Sequence, residues 1–227
     1  MRIFNAFAAA VCAAAICRLR DAASGRGTGS AQDRRPDIRR NPRRLQSRQR
    51  LDGGRDLDAT GNDGELNIIH VAVAEVQGDS CWIIDATIKH GVDRHPLDTF
   101  LTDFTLRDGS YPVFKVMRLR DDSRAQEFVD NTRKFLGQPY DSAFLPDNGA
   151  MYCSELVYES YLTPDGGHIF SEAPMNFLDD EGAMPVYWEQ LFGMLGMEVP
   201  QGIPGTNPRQ MSRDPALVNV ELDFPVE

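Results

Sequence analysis

"LNIIHVAVAEVQGDSCWIIDAT", residues 66–87, reads as two β-strands joined by a turn. Residues 66–76 are β-branched and apolar almost throughout, the pattern of a strand buried on both faces. Gln77, Gly78, Asp79 and Ser80 supply turn chemistry, and residues 81–87 read as the returning strand, so the pair is a hairpin. Each strand carries one polar interruption, His70 in the first and Asp85 in the second. A buried imidazole or carboxylate is costly unless it is hydrogen-bonded. A lone strand histidine is usually a core residue bonded to a backbone carbonyl. Two interruptions on neighbouring strands invite one explanation for both.

Hairpin geometry tests that explanation. A two-residue Gly78-Asp79 turn sets His70 diagonal to Asp85 on one sheet face, and a four-residue loop around Gln77 makes them face each other. Both registers leave roughly 5–8 Å between backbone positions, which the two side chains span. A three-residue loop would put them on opposite faces. His90, His95 and His168 lie in polar segments bearing Gly or Pro and read as surface residues without a comparable carboxylate.

Downstream, residues 111–119 ("YPVFKVMRL") alternate as a strand. The period then becomes helical: in residues 121–137, Ala125, Phe128, Val129, Thr132, Phe135 and Leu136 form one stripe, with Asp122 or Ser123 as cap and Gly137 as stop. "CSELVYESYL", residues 153–162, is a short helix with Leu156, Val157 and Tyr161 inward, stopped by Pro164. Residues 186–196 ("VYWEQLFGMLG") are amphipathic. The Pro- and Gly-rich residues 199–215 read as a meandering surface segment. Strands followed by helices, with hairpin connections, point to an α+β domain rather than a doubly wound one.

The charge is unevenly placed. Residues 1–64 hold thirteen Arg and seven acids, and the remainder holds eleven Lys and Arg against twenty-seven acids. So acidic a body argues against nucleic acid as a partner, because phosphate contacts need a basic surface. In residues 1–17, Arg2 precedes a largely apolar run, too short for a membrane span of about 20 residues. It reads as the h-region of a secretory signal, which implies export to the periplasm or cell envelope; a misassigned start would leave the protein cytoplasmic. Residues 18–64 carry too little apolar surface to offset their ordering entropy and are expected to be disordered, with the folded domain at residues 65–227. Cys12, Cys17, Cys81 and Cys153 show neither metal-ligand nor disulfide-framework spacing.

Cys153 stands at the predicted start of its helix. Unpaired N–H groups and the positive end of the dipole stabilise a thiolate there, and its own N–H can serve an oxyanion hole. Buried packing is the competing reading, since free cysteine is among the most buried residue types. A reactive thiol needs an imidazole and a group that orients it, and His70 with Asp85 supplies both. Tyr140, in "GQPYD", enters from the preceding loop as an oxyanion donor or a loop anchor.

These residues, in this order, resemble the YiiX/YebB-like branch of the NlpC-type papain-like superfamily, in which the papain fold is circularly permuted. The resemblance runs over residues 67–215 through "IIHVAV", "IIDAT", "HGVDRHPLDTFL", "VMRL", "LGQPYD", "YCSELVYE" and "VPQGIPGTNP". It implies an antiparallel sheet packed against helices and cysteine-dependent amide hydrolysis. Cys153 would be the nucleophile, His70 the base and then the acid, Asp85 the orienting group and Tyr140 an oxyanion donor. Relatives often have Glu where this chain has Asp85. Implied substrates are peptide, peptidoglycan or lipid amides, with acyl transfer by the same residues as a variant; no metal or organic cofactor is implied. The family's usual opening strand, of the "GDLIF" kind, is not seen before His70. Its loss would favour a second reading, a non-catalytic lipid- or peptide-binding module on the same scaffold.

Overall fold

The computed structural model describes residues 11–16, 68–106, 109–179 and 181–220. One six-stranded sheet organises them. In chain order its strands are β1 (Val11–Ile16), β2 (His70–Gln77), β3 (Ser80–Thr87), β4 (Gly91–Pro96), β5 (Phe114–Leu119) and β8 (Leu217–Asn219). A two-residue pair, β6 (Ala173–Pro174) with β7 (Pro204–Gly205), stands apart. The helices are α1 (Leu97–Asp103), α2 (Ala125–Arg133), α3 (Cys153–Ser160), α4 (Val186–Leu195) and the single turn α5 (Pro208–Met211).

The sheet order is β4-β3-β2-β1-β5-β8. Every pair not involving β1 is antiparallel, and β1 runs parallel to both of its neighbours, β2 and β5. The architecture is α+β, a permuted papain-like domain, as expected. Its central strand is a correction. The strand thought to be missing before His70 is supplied by residues 11–16, which the sequence reading placed in an export signal, with Val11 level with His70 and Phe114. The sheet therefore takes in chain upstream of residue 65. The expected disordered stretch, residues 18–64, lies outside the described residues.

The hairpin adopts the two-residue turn: Gln77 pairs with Ser80 and Val73 with Ile84. Gly78 sits at φ 59°, the left-handed conformation such a turn favours in glycine. Alternation then sorts the side chains. Val71 and Val73 join Ile84, Ala86 and Val92 beneath α2 and α3, where Phe128, Leu156, Val157 and Tyr161 complete the main core. Ala72, Ala74 and Ile83 lie on the other face against Phe100 of α1. Burying each large side chain of α3 stabilises by roughly 1.5–3 kcal/mol relative to exposure, which is how an eight-residue helix is held.

Some local expectations change. The cap of α2 is not made by the Asp122 or Ser123 side chain, although the helix ends before Gly137, which sits at φ 88°. Residues 91–103, which the sequence reading assigned to no element, form β4 and α1, with β4 pairing with β3 from Trp82 to Thr87. Residues 199–215 are no surface meander: β7 and α5 lie within them, with Thr206 and Met211 buried.

Candidate active site

His70 opens β2 at the end of the sheet where α3 arrives. The observed register sets it diagonal to Asp85, and its Nε2 lies 2.8 Å from Asp85 Oδ2, with Asp85 fully buried. The His70 ring leans on Phe104, with centroids 4.9 Å apart, which fixes its plane from the α1 side. Because Nε2 is engaged by the carboxylate, Nδ1 is the nitrogen left for the thiol. Cys153, the first residue of α3, is within side-chain hydrogen-bonding reach of His70. The three residues singled out in the sequence thus come together.

Electrostatics at His70 follow from that placement. Burial pulls its pKa down, but the negative charge of Cys153 and the bonds to Asp85 and Cys153 outweigh burial and raise it to about 10. The ring therefore sits between the Asp85 carboxylate and the Cys153 sulfur, the two groups that favour its protonated form.

Local structure explains the position of Cys153. Tyr152, in extended conformation, is the N-cap, and its N–H donates to Glu155 Oε2 at 3.3 Å. The Tyr152 hydroxyl accepts the Thr206 N–H at 3.0 Å, tying residues 199–215 to the helix start. Burial, chiefly, pushes the Tyr152 phenol up to about 12, so it stays neutral.

Tyr140 is carried in by the loop after α2. Val92 N–H donates to Gln138 O at 2.8 Å and Gly137 N–H to Val92 O at 2.9 Å, docking that loop on β4. Gly91, at φ 68°, permits the approach, since a Cβ there would meet Gln138 O at 2.3 Å. A parallel bridge pairs Tyr140 with Met151, so the phenol enters the cleft that holds Cys153. Burial first, then the charge of Cys153, pushes Tyr140 well above the usual phenol range.

The cleft has a volume of about 520 Å³. Phe144, Phe177 and Trp188 form an aromatic wall, held by edge contacts, while Thr206, Asn207 and Arg209 line another part. Neither this wall nor the lining from residues 199–215 was legible in the sequence, since only the tertiary fold sets them opposite Cys153.

The remaining histidines need one correction. His90 and His168 are partly exposed, as expected, although His90 Nε2 lies 3.5 Å from Asp103 and His168 Nε2 lies 3.6 Å from Glu159. His95 is not a surface residue: it is buried, with Nε2 3.8 Å from Asp85 Oδ1. Extending the strand pairing past the turn at residues 88–90 was the signal that would have found it, because Asp85 pairs with Asp93 and His95 follows two residues on. Among the described residues, no group of three or more His, Cys, Asp or Glu side chains is placed to hold a metal ion, and no helix is long and apolar enough to cross a membrane.

A thiol at a helix start, reached by a strand histidine and its carboxylate that precede it in the chain, defines a papain-like arrangement in permuted order. The chain belongs to the permuted papain-like amidase family of YaeF and YiiX, the C92 family, whose model matches residues 58–221. It is similar to the protein YiiX of Escherichia coli strain K12, 24% identical over 118 residues, which is 52% of this chain and 57% of that relative's length. The chain thus spans little more than half of the curated relative it matches. The fold is similar to the crystal structure of the metalloprotein YiiX from Escherichia coli O157:H7, with a TM-score of 0.59, 18% identity, and coverage of 78% of this chain and 93% of that one.

Proposed function

We propose that the protein is a cysteine amidase that cleaves an amide bond through a thioester acyl-enzyme. The observation that carries this is the bridging position of His70, bonded to Asp85 at 2.8 Å on one side and in reach of Cys153 on the other. The Cys153 sulfur attacks the amide carbonyl and a C–S bond forms. The negative charge on the carbonyl oxygen faces the Cys153 N–H at the helix start and the Tyr140 hydroxyl. His70 gives its proton to the leaving nitrogen as the C–N bond breaks. Water then loses a proton to His70, its hydroxyl attacks the thioester, and the sulfur departs. Asp85 holds the ring in orientation and stabilises its charged form throughout.

The aromatic side of the cleft favours an acyl or peptide side chain of substantial apolar area, within the class of peptide, peptidoglycan-fragment and lipid amides. The presence of β1 removes the ground on which a non-catalytic binding module was favoured. Acyl transfer uses the same residues and differs only in the acceptor that takes the thioester.

The test is incubation with N-acyl amino acids and peptidoglycan fragments, followed by mass spectrometry of the products. Cleavage by the native chain and none by Cys153→Ala is the expected result. A thiol-reactive probe that labels Cys81 and spares Cys153 would sink the reading, and an added amine that outcompetes water would turn it to acyl transfer.

A further inference from the structure

The proposed chemistry leaves one buried histidine unused. His95 is 7% exposed and sits on β4, which pairs it with Ile83 and sets it diagonal to Asp85 on the face that carries His70. Its Nε2 stands 3.8 Å from Asp85 Oδ1 and its Nδ1 stands 3.8 Å from Asp93 Oδ2. The ring stacks on Phe100 at an interplanar angle of 16°, so α1 holds its plane.

Asp85 therefore turns its two oxygens toward two histidines. Oδ2 is bonded to His70, whereas neither Asp85 Oδ1 nor His95 Nδ1 has a hydrogen-bond partner among the described residues. A fully buried carboxylate oxygen without a donor carries an uncompensated desolvation cost, and a second N–H donor offsets it. His95 is the group placed to give one.

We propose that His95 is a positioning residue for the reaction, anchoring Asp85 by donating its Nε2–H to Oδ1 and thereby holding the His70 ring in its orientation toward Cys153. The inference rests on the reading of Cys153, His70 and Asp85 as the reacting set. An in-plane shift of roughly 1 Å closes the contact to hydrogen-bond length, and the stack on Phe100 permits such a slide. The charged and titratable groups around His95 are His70 from β2, Asp85 from β3 and Asp93 from its own strand, while α1 presents the Phe100 ring. Asp93 is half exposed and already accepts the Arg94 N–H at 2.8 Å, so the donor is needed more by Asp85.

The experiment reads alkylation of Cys153 by iodoacetamide against pH, in the full chain, with the Cys153 peptide followed by mass spectrometry. It requires no knowledge of the substrate. His95→Phe keeps the ring stack and removes the donor, and His95→Gln restores an N–H. The expected result is that His95→Phe slows Cys153 alkylation at pH 6 by about tenfold, the consequence of unpairing one buried charged acceptor, and that His95→Gln recovers most of it. Asp85→Asn is the control. If it leaves the profile unchanged, the reading of the reacting set fails; if it changes the profile and His95→Phe does not, the role of His95 is overturned while that reading stands. Should His95→Phe not fold, nitrogen NMR of the native chain decides: a slowly exchanging His95 Nε2–H supports the anchor, and an unprotonated Nε2 overturns it.

Discussion

His70 Nε2 and Asp85 Oδ2 meet at 2.8 Å across a hairpin whose two-residue turn makes them diagonal neighbours. The bond orients the ring and leaves Nδ1 to Cys153. Asp85→Asn keeps the shape and removes the charge. We expect turnover to fall by on the order of a hundredfold or more, with substrate binding little changed. Steady-state kinetics on any amide found to be cleaved checks this, and an unchanged kcat would remove Asp85 from the mechanism.

The raised pKa of His70 has a consequence for stability. Its folded value is about 10 against 6.5 in the unfolded chain, so between those limits the native state binds the extra proton. Its stabilising contribution is full below pH 6.5 and is lost as pH rises toward 10. Chemical denaturation across that window should show stability declining with pH, and the decline should shrink in Cys153→Ala, which removes a group that raises the His70 value. An identical slope in both proteins contradicts the pairing.

Glu155 shows the same sign by a different cause. Burial, foremost, raises its pKa from 4.5 to about 8, with the Tyr152 N–H opposing and nearby acids adding to the rise. The native state then holds a proton the unfolded chain has lost, so Glu155 costs stability progressively as pH rises from 4.5 to 8. Glu155→Gln, which still accepts from Tyr152, should gain on the native protein at pH 8 and lose that advantage near pH 4. Thermal unfolding at the two pH values measures it, and a variant less stable at both would show that the cap needs the charge.

Tyr140→Phe removes one hydroxyl from the cleft and leaves the ring. If the phenol serves the oxyanion, kcat falls by about 10²–10³ with unchanged KM and unfolding temperature. A loss confined to the unfolding temperature would make Tyr140 a loop anchor instead.

Strand β1 makes the N-terminal segment structural. Removing residues 1–17 takes away the partner of both β2 and β5 and leaves two bare edges in the middle of the sheet. The truncated chain is expected to be insoluble or unfolded by circular dichroism. Intact mass of the protein recovered from cells should include residues 11–16; a product cleaved after them that still folds would overturn this prediction and support the export reading.

The hairpin and the helix that begins at Cys153 were legible in the sequence, while the pairing of His70 with Asp85 depended on a turn length that only the observed register settles at two residues. Each rests on local periodicity, turn chemistry or an even register, all of which act over a few residues. The family pattern then ordered those pieces. That Val11–Ile16 is the central strand came from its pairing in the fold, because a short apolar run reads alike as a buried strand or a signal core, and the distinction lies in what pairs with it. The place of His95 was also a tertiary matter: its neighbours in sequence are polar, and its burial comes from the β3–β4 register and the Phe100 ring above it. The cleft wall likewise joins Phe144, Phe177, Trp188 and Thr206, residues far apart in the chain, and no local pattern encodes a surface that exists only once the chain has closed on itself.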